Sequence, residues 1–190
     1  MKQRIFVDAN ILVSKTLRDW LFLLRDACPG MFQTHTSEDV LIEVAKAWRE
    51  RRPTLSGQKL QGFLGHLRVV LDEVITDFDE DVSFTGRDPK DYHVYAAAVK
   101  TRADMLLTNN HPSDFADDSA ALEIITADEL FLLIASSSPE ALHQVIVEQA
   151  RYWADRNGKP LDQALRDAHC PRFAVKVHEA LCRAALRGDY

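Results

Sequence analysis

The apolar residues change period several times along the chain, and each change marks an element. Ile5-Phe6-Val7 is a short apolar run ending in Asp8, the pattern of a buried strand. From Ile11 to Ala27 the spacing turns helical, with Leu17, Leu21 and Leu24 on one face and Trp20 and Leu23 beside it; Pro29-Gly30 ends that helix. Met31 to Thr36 can form a second strand. Ser37, with Asp39 following, can cap a helix running to Arg51, where Pro53 blocks continuation. Leu60, Leu64, Leu67 and Leu71 mark a further helix, and Val74-Ile75 a strand after it. Asp77 to Pro89 is acidic and irregular and reads as a loop. Pro89 suits the first turn of a helix capped by Asp88 and carrying Tyr92, Tyr95, Ala96 and Val99. Met105-Leu106-Leu107 is another buried strand, followed by the turn-rich Asn109-Asn110-His111-Pro112. Glu123-Ile124-Ile125 is the last strand, and Thr126 can cap a helix through Ile134.

Strands alternating with helices imply an α/β fold in three layers, a mostly parallel central sheet covered on both faces. Ligands of such sheets bind beyond the carboxyl ends of the strands. Asp8 closes the first strand and Thr108-Asn109-Asn110 a later one, so both stand where that rule puts a site. Ser136-Ser137-Ser138-Pro139 reads as a linker. After it come helical stretches over Glu140 to Arg156, Leu161 to Ala168 and Pro171 to Arg187, the first two separated by Asn157-Gly158-Lys159-Pro160. The expected organisation is a domain over 1–135 and a small all-helical extension over 136–190, with no internal repeat.

Composition narrows the class. The 190 residues suffice for one ordinary domain plus an extension, and 46% hydrophobic with 27% charged residues describes a globular chain. No apolar run approaches bilayer length, and the apolar part of the N-terminus is too short for a signal peptide. Three cysteines, with no Cys-x-x-Cys, argue against a disulfide framework. The expected location is the cytoplasm, with no membrane partner. The net charge of -6 weighs against nonspecific nucleic-acid binding, but the acids are uneven. Asp72 to Asp91 holds eight acidic residues against Arg87 and Lys90. A metal-holding acidic site can lower the net charge of a protein that grips RNA elsewhere.

Four carboxylates carry the candidate chemistry: Asp8, Glu43, Asp91 and Asp114. Each has a plain structural alternative. Asp8 can cap the helix that starts near Ile11. Glu43 shares a helix face with Val40 and Ala47, with Val44 and Trp48 close by, yet it can simply pair with Lys46. Asp91 lies in a first helical turn, where the dipole favours an acid, and Asp88 is better placed as the cap. Asp114 can form a turn. Their combination matters more than any one of them. Like charges converging at a sheet edge repel by about 4 kcal/mol at ~4 Å and an effective dielectric of ~20, or force protonation. A divalent cation removes that penalty. Mg²⁺ prefers oxygen ligands, needs only one or two direct carboxylates, and can activate water and neutralise charge on a phosphate. Acids without a Cys or His nucleophile suit hydrolysis of a phosphodiester.

In order along the chain stand Phe6-Val7-Asp8-Ala9-Asn10-Ile11-Leu12, then Glu43, then Asp88-Pro89-Lys90-Asp91 with Val94 and Ala96-Ala97-Ala98, then Leu106-Leu107-Thr108-Asn109-Asn110 with Asp114-Phe115. Over roughly the first 135 residues this set resembles the PIN-domain family and, within it, the VapC-like ribonuclease toxins. The resemblance implies a metal-dependent endoribonuclease using Mg²⁺, with Mn²⁺ able to substitute. It implies Asp8 and Asp91 as metal ligands, with Glu43 and Asp114 completing an acidic pocket. Many members carry an acid two residues after the Thr. Here that position is Asn110, so Asp114 is preferred as the fourth acid. Asn10, Thr108 and Asn110 would orient the carboxylates. The tail from Glu140 is similar to the helical extension on one branch of these toxins. The resemblance further implies a cognate antitoxin, a structured RNA substrate such as tRNA, and a possible homodimer. A catalytically silent PIN scaffold and a housekeeping RNA-processing nuclease are the competing readings.

Lys46, Arg49, Arg51 and Arg52 form a basic cluster that can hold RNA phosphates or can be a solvated helix end with cations near its C-terminus. His169-Cys170 and His178 with Cys182 lack the paired-cysteine spacing of a structural zinc site. Asp8-Ala9-Asn10 departs from the Asp-x-Asp of haloacid-dehalogenase-type phosphatases. The paired acids and later Lys of a response-regulator receiver are missing. The first thirty residues hold only Gly30, against a Gly-x-Gly-x-x-Gly dinucleotide fingerprint.

Overall fold

A computed structural model describes residues 2–111, 114–115, 122–154, 156 and 158–188. Pro112 of the expected turn and Asn157 of the expected break lie outside them. By internal contacts the chain divides into two compact units, one of residues 1–13 and 30–126, the other of residues 14–29 and 127–190.

The first unit is a five-stranded, all-parallel sheet in the order β3-β2-β1-β4-β5. Its strands are β1 (Gln3–Val7), β2 (Phe32–Ser37), β3 (Glu73–Ile75), β4 (Met105–Leu107) and β5 (Glu123–Ile125). The helices are α1 (Ala9–Val13), α3 (Glu38–Arg51), α4 (Gly57–Val70) and α5 (Tyr92–Lys100). This is the α/β architecture that the alternation of apolar runs dictates. Ile5, Phe6, Val7, Leu106 and Leu107 are fully buried, as strands covered on both faces must be. From β1 the chain builds outward to β2 and β3, then returns to the other side for β4 and β5. The order therefore reverses between β1 and β4, and the crevice at their carboxyl ends is the switch point where such sheets bind ligands. Val7 pairs with Leu107, so Asp8 and Thr108 are the next residue on each strand.

Local signals explain the element ends. Ser37 caps α3, its side chain accepting from Val40 N–H, and Ser56 caps α4 through Lys59 N–H. One expectation fails here. The single helix from Ile11 to Ala27 is two, α1 and α2 (Lys15–Ala27), because Ser14 is extended and caps α2 through Leu17 N–H. The apolar spacing runs through the break, so periodicity alone misses it. Pro89–Asp91 forms a 3-10 turn before α5, with Asp88 Oδ1 accepting from Lys90 N–H.

The second unit is all helical: α2, α6 (Ala127–Ser137), α7 (Pro139–Ala154), α8 (Leu161–Asp167) and α9 (Pro171–Arg187). Trp20, Phe131 and Phe173 meet at its centre, with ring centroids 5.1 Å apart for Trp20–Phe173 and 5.2 Å for Phe131–Phe173. The expected linker at 136–139 is instead the end of α6. Ser136 and Ser137 both donate to the Leu133 carbonyl and keep the helix closed, leaving only Ser138 between α6 and α7. Among the described residues, no single helix is long and apolar enough to cross a membrane.

Candidate active site

Asp8 is the centre of the crevice. It is 4% exposed, and both carboxylate oxygens are engaged. Oδ1 accepts from Ala9 N–H, at 2.5 Å, because the chain turns into α1 immediately after the strand. Oδ2 accepts from Thr108 Oγ1 and from Asn10 Nδ2, each at 2.7 Å. The Asn10 amide also reaches Thr108 Oγ1 at 2.9 Å and Asn110 Oδ1 at 3.1 Å, while its own oxygen accepts from Asn109 N–H at 3.2 Å. Thr108 Oγ1 further accepts from Asn110 N–H at 3.0 Å. Asn10, Thr108 and Asn110 thus form one hydrogen-bonded cradle, fixed because β1 and β4 are neighbours and Asp8 N–H donates to Leu107 O at 3.0 Å.

The other acids surround this cradle electrostatically. Asp91 heads α5 yet makes no cap bond with its side chain, so its carboxylate is not spent on the helix. Burial, then the charges of Asp8, Asp88, Asp114 and Glu43, push its pKa up to about 6. Burial also raises Asp8, against the hydrogen bonds from Thr108 and Ala9, and the Glu43 charge adds to the rise. Glu43 projects half-exposed from α3. Asp114 accepts from His111 N–H at 3.1 Å, the turn-forming bond its position suggests. Gly86 lies against the Asp114 carbonyl and the Phe84 ring, where any Cβ would collide with both.

One residue without a place in the sequence reading belongs here. His93 Nδ1 donates to the Lys90 carbonyl at 2.8 Å, which fixes the tautomer. Nε2 is buried without a hydrogen-bond partner, 3.7 Å from Glu43 Oε2, and a proton taken up there would place a charge that lowers the Asp8 pKa. The available signal was a lone imidazole two residues past Asp91, opening the otherwise apolar run Val94 to Val99.

The basic cluster sits at the exposed end of α3. Arg49 donates to the Leu55 carbonyl. The Arg52 guanidinium lies 5.1 Å from the centre of the Trp48 ring, itself stacked on Phe63 at 3.8 Å. Lys46 and Arg51 are exposed and unpaired among the described residues. In the second unit, Cys182 Sγ is 3.8 Å from His178 Nε2, and His178 Nδ1 faces Asp162 at 3.3 Å.

The donor set fits a hard divalent cation. Every candidate ligand is a carboxylate oxygen, Asp8 Oδ1 keeps one lone pair beyond its single hydrogen bond, and Asp91 accepts none among the described residues. Among those residues, no three His, Cys, Asp or Glu side chains stand close enough to hold an ion alone.

A PIN domain family model matches residues 4–112, from the start of β1 through the cradle residues after β4. No curated protein and no solved structure matches the chain. The match spans more than half of the sequence and the whole Asp8–Thr108 crevice, and on that ground the chain belongs to the PIN domain family, with its nuclease-type fold.

Proposed function

We propose that the protein is a Mg²⁺-dependent endoribonuclease that hydrolyses RNA phosphodiester bonds at the Asp8 crevice. The observation that carries this reading is the Asp91 carboxyl. It is raised to about 6 by burial and by four neighbouring acids, and it heads α5 with no hydrogen bond spent on the helix. Acids crowded in this way stabilise a bound cation as strongly as they destabilise the empty site. Mg²⁺ bound there supplies positive charge for the phosphate and a water of lowered pKa. Asp8 and Asp91 are the residues to hold it. The Thr108 hydrogen bond favours the charged Asp8 carboxylate against its burial, and Thr108 and Asn10 together fix its direction. Glu43 and Asp114 extend the negative field, and the fixed His93 tautomer turns its Nε2 toward Glu43. Lys46 and Arg51 are free to meet phosphates.

The finer assignment is the toxin of a VapC-like type II pair, acting on structured RNA such as tRNA, restrained by a cognate antitoxin and able to dimerise. It rests on the ordered motif set from Asp8 to Asp114. A small antitoxin-like reading frame beside this one would support it.

Purified protein is expected to cut RNA internally with Mg²⁺ or Mn²⁺ and to stop on chelation. Asp8→Asn and Asp91→Asn should each lower the rate by at least a hundredfold while the far-ultraviolet circular dichroism persists. Wild-type rates in both variants would overturn the site. A folded wild type that never cleaves would leave a silent PIN scaffold.

A further inference from the structure

We infer that one face of α9 is an RNA-backbone binding surface. Every fourth or third residue on that face lines a groove of about 630 Å³ between α9, the end of α6 and the start of α7. Ala180, Ala184 and Leu142 make its floor. Lys176, Arg183 and Arg187 stand along it, facing one acid, Glu140. These cations are not absorbed by the fold. Lys176 and Arg187 have no ion-pair or hydrogen-bond partner among the described residues, and Arg183 reaches Glu179 only at 4.0 Å.

A net positive groove in a chain of net charge -6 is complementary to an anionic occupant. Spacing and chemistry both favour a nucleic-acid backbone. At 1.5 Å per residue, Arg183 and Arg187 are about 6 Å apart along the axis, and Lys176 is about 10 Å from Arg183. Such a row follows successive phosphates of one strand. The floor is aliphatic, and His143 is the one ring in the lining, so contact runs mainly to phosphate and sugar, with a row of stacked bases unsupported. An acidic protein segment is the competing occupant. It would anchor apolar side chains in the floor, but Ala180 and Ala184 are already 9% and 0% exposed and offer such anchors little area.

The surface deepens the nuclease reading and rests on it for the choice of RNA. The experiment separates the two. Wild-type protein, in chelator so that nothing is cut, is titrated with a fluorescent single-stranded RNA of mixed sequence at several salt concentrations. The same is done with the triple variant Lys176→Gln, Arg183→Gln, Arg187→Gln. At about 0.7 per phosphate contact on a single strand, three contacts predict a loss of about 2 in the slope of log affinity against log salt. Affinity near physiological salt should fall about tenfold or more. A thermal melt within error of wild type shows the variant folded, and single substitutions Arg183→Gln and Arg187→Gln give the answer if it is not. Unchanged slope and affinity overturn the surface, as does a variant that loses only its affinity for polyglutamate, which would assign the groove to an acidic protein. Cleavage with Mn²⁺ is read separately. A protein that cuts RNA but shows no triple-variant effect loses this surface and keeps its activity. A protein that binds through α9 but never cuts loses the activity and keeps the surface.

Discussion

Thr108 and Asp8 lie one hundred positions apart, and the Thr108 hydroxyl donates a 2.7 Å hydrogen bond to Asp8 Oδ2. The same hydroxyl accepts from Asn10 and from Asn110 N–H. Thr108 is fully buried, so its oxygen has no solvent to turn to. Thr108→Val keeps the shape and removes the oxygen. It leaves a buried carboxylate with one donor fewer and the Asn110 N–H without its acceptor, while the Asn10 amide keeps Asp8 Oδ2 and Asn110 Oδ1, at a cost of about 1–3 kcal/mol. Urea denaturation at neutral pH should show this loss. The loss should shrink on acidification, because the proton then takes over the Asp8 charge, which burial already disfavours. A variant as stable as wild type at every pH would show that the cradle does not hold Asp8.

Asp91 gives a pH prediction with a definite sign. Its folded pKa, about 6, lies above the ordinary value of 3.8. Between those values the folded protein holds a proton that the unfolded chain has released, so metal-free stability falls as pH rises from about 4 to 6 and is flat above. The carboxyl is only partly buried and therefore screened by solvent, which leaves on the order of 1 kcal/mol. Melting in chelator across this range should show the decline. Mg²⁺ at pH 7 should restore the loss, since an ion bound only to the folded state stabilises it by mass action. Asp91→Asn should flatten the pH slope and remove the Mg²⁺ effect together. A Mg²⁺-dependent rise in melting temperature that survives in Asp91→Asn would move the ion elsewhere.

The sheet was legible because its strands are buried on both faces and write themselves as Ile5-Phe6-Val7 and Met105-Leu106-Leu107. Caps were legible where Ser or Asp stood before an apolar-periodic run, as at Ser37 and Asp88. Ser14 was not, because Ile11, Leu12 and Val13 continue the apolar spacing into Leu17 and hide an extended residue. The serine run at 136–138 misled in the opposite direction, since serine hydroxyls that bond back to a carbonyl one turn earlier keep a helix end closed. In the site, the acids could be picked out by type and order, but their mutual field depends on distances no spacing encodes. His93 escaped for the same reason, since its unpartnered Nε2 is a property of packing alone.

Asp128 ties α6 to α9. Its Oδ1 accepts from Phe173 N–H at 2.7 Å, and its Oδ2 faces Arg172 Nε at 3.2 Å. Cys170, at the head of α9, offers no side-chain cap, so Asp128 satisfies an N-terminal amide that would otherwise stay orphaned beside the buried Phe173 ring. Asp128→Ala should cost about 1–3 kcal/mol by denaturant titration. Arg172→Ala should cost far less, because that side chain is 63% exposed and its ion pair is screened. Equal losses in the two variants would place the effect in the ion pair and not in the cap.

The three cysteines are all free and differ sharply in setting. Cys170 is fully buried, and burial followed by the Asp128 charge pushes its thiol up to about 12. At pH 8 the thiolate, the reactive form, would then be on the order of one part in ten thousand. Cys28 is 7% exposed, whereas Cys182 lies on the open side of α9. Native protein treated with an aromatic disulfide reagent at pH 8 should release one equivalent of thiolate quickly and three in denaturant. Cys182→Ser should abolish the fast phase and leave two slow equivalents. Rapid labelling of Cys170 in the native Cys182→Ser protein, located by peptide mass, would mean that α8 and α9 open far more readily than their packing around Phe173 allows.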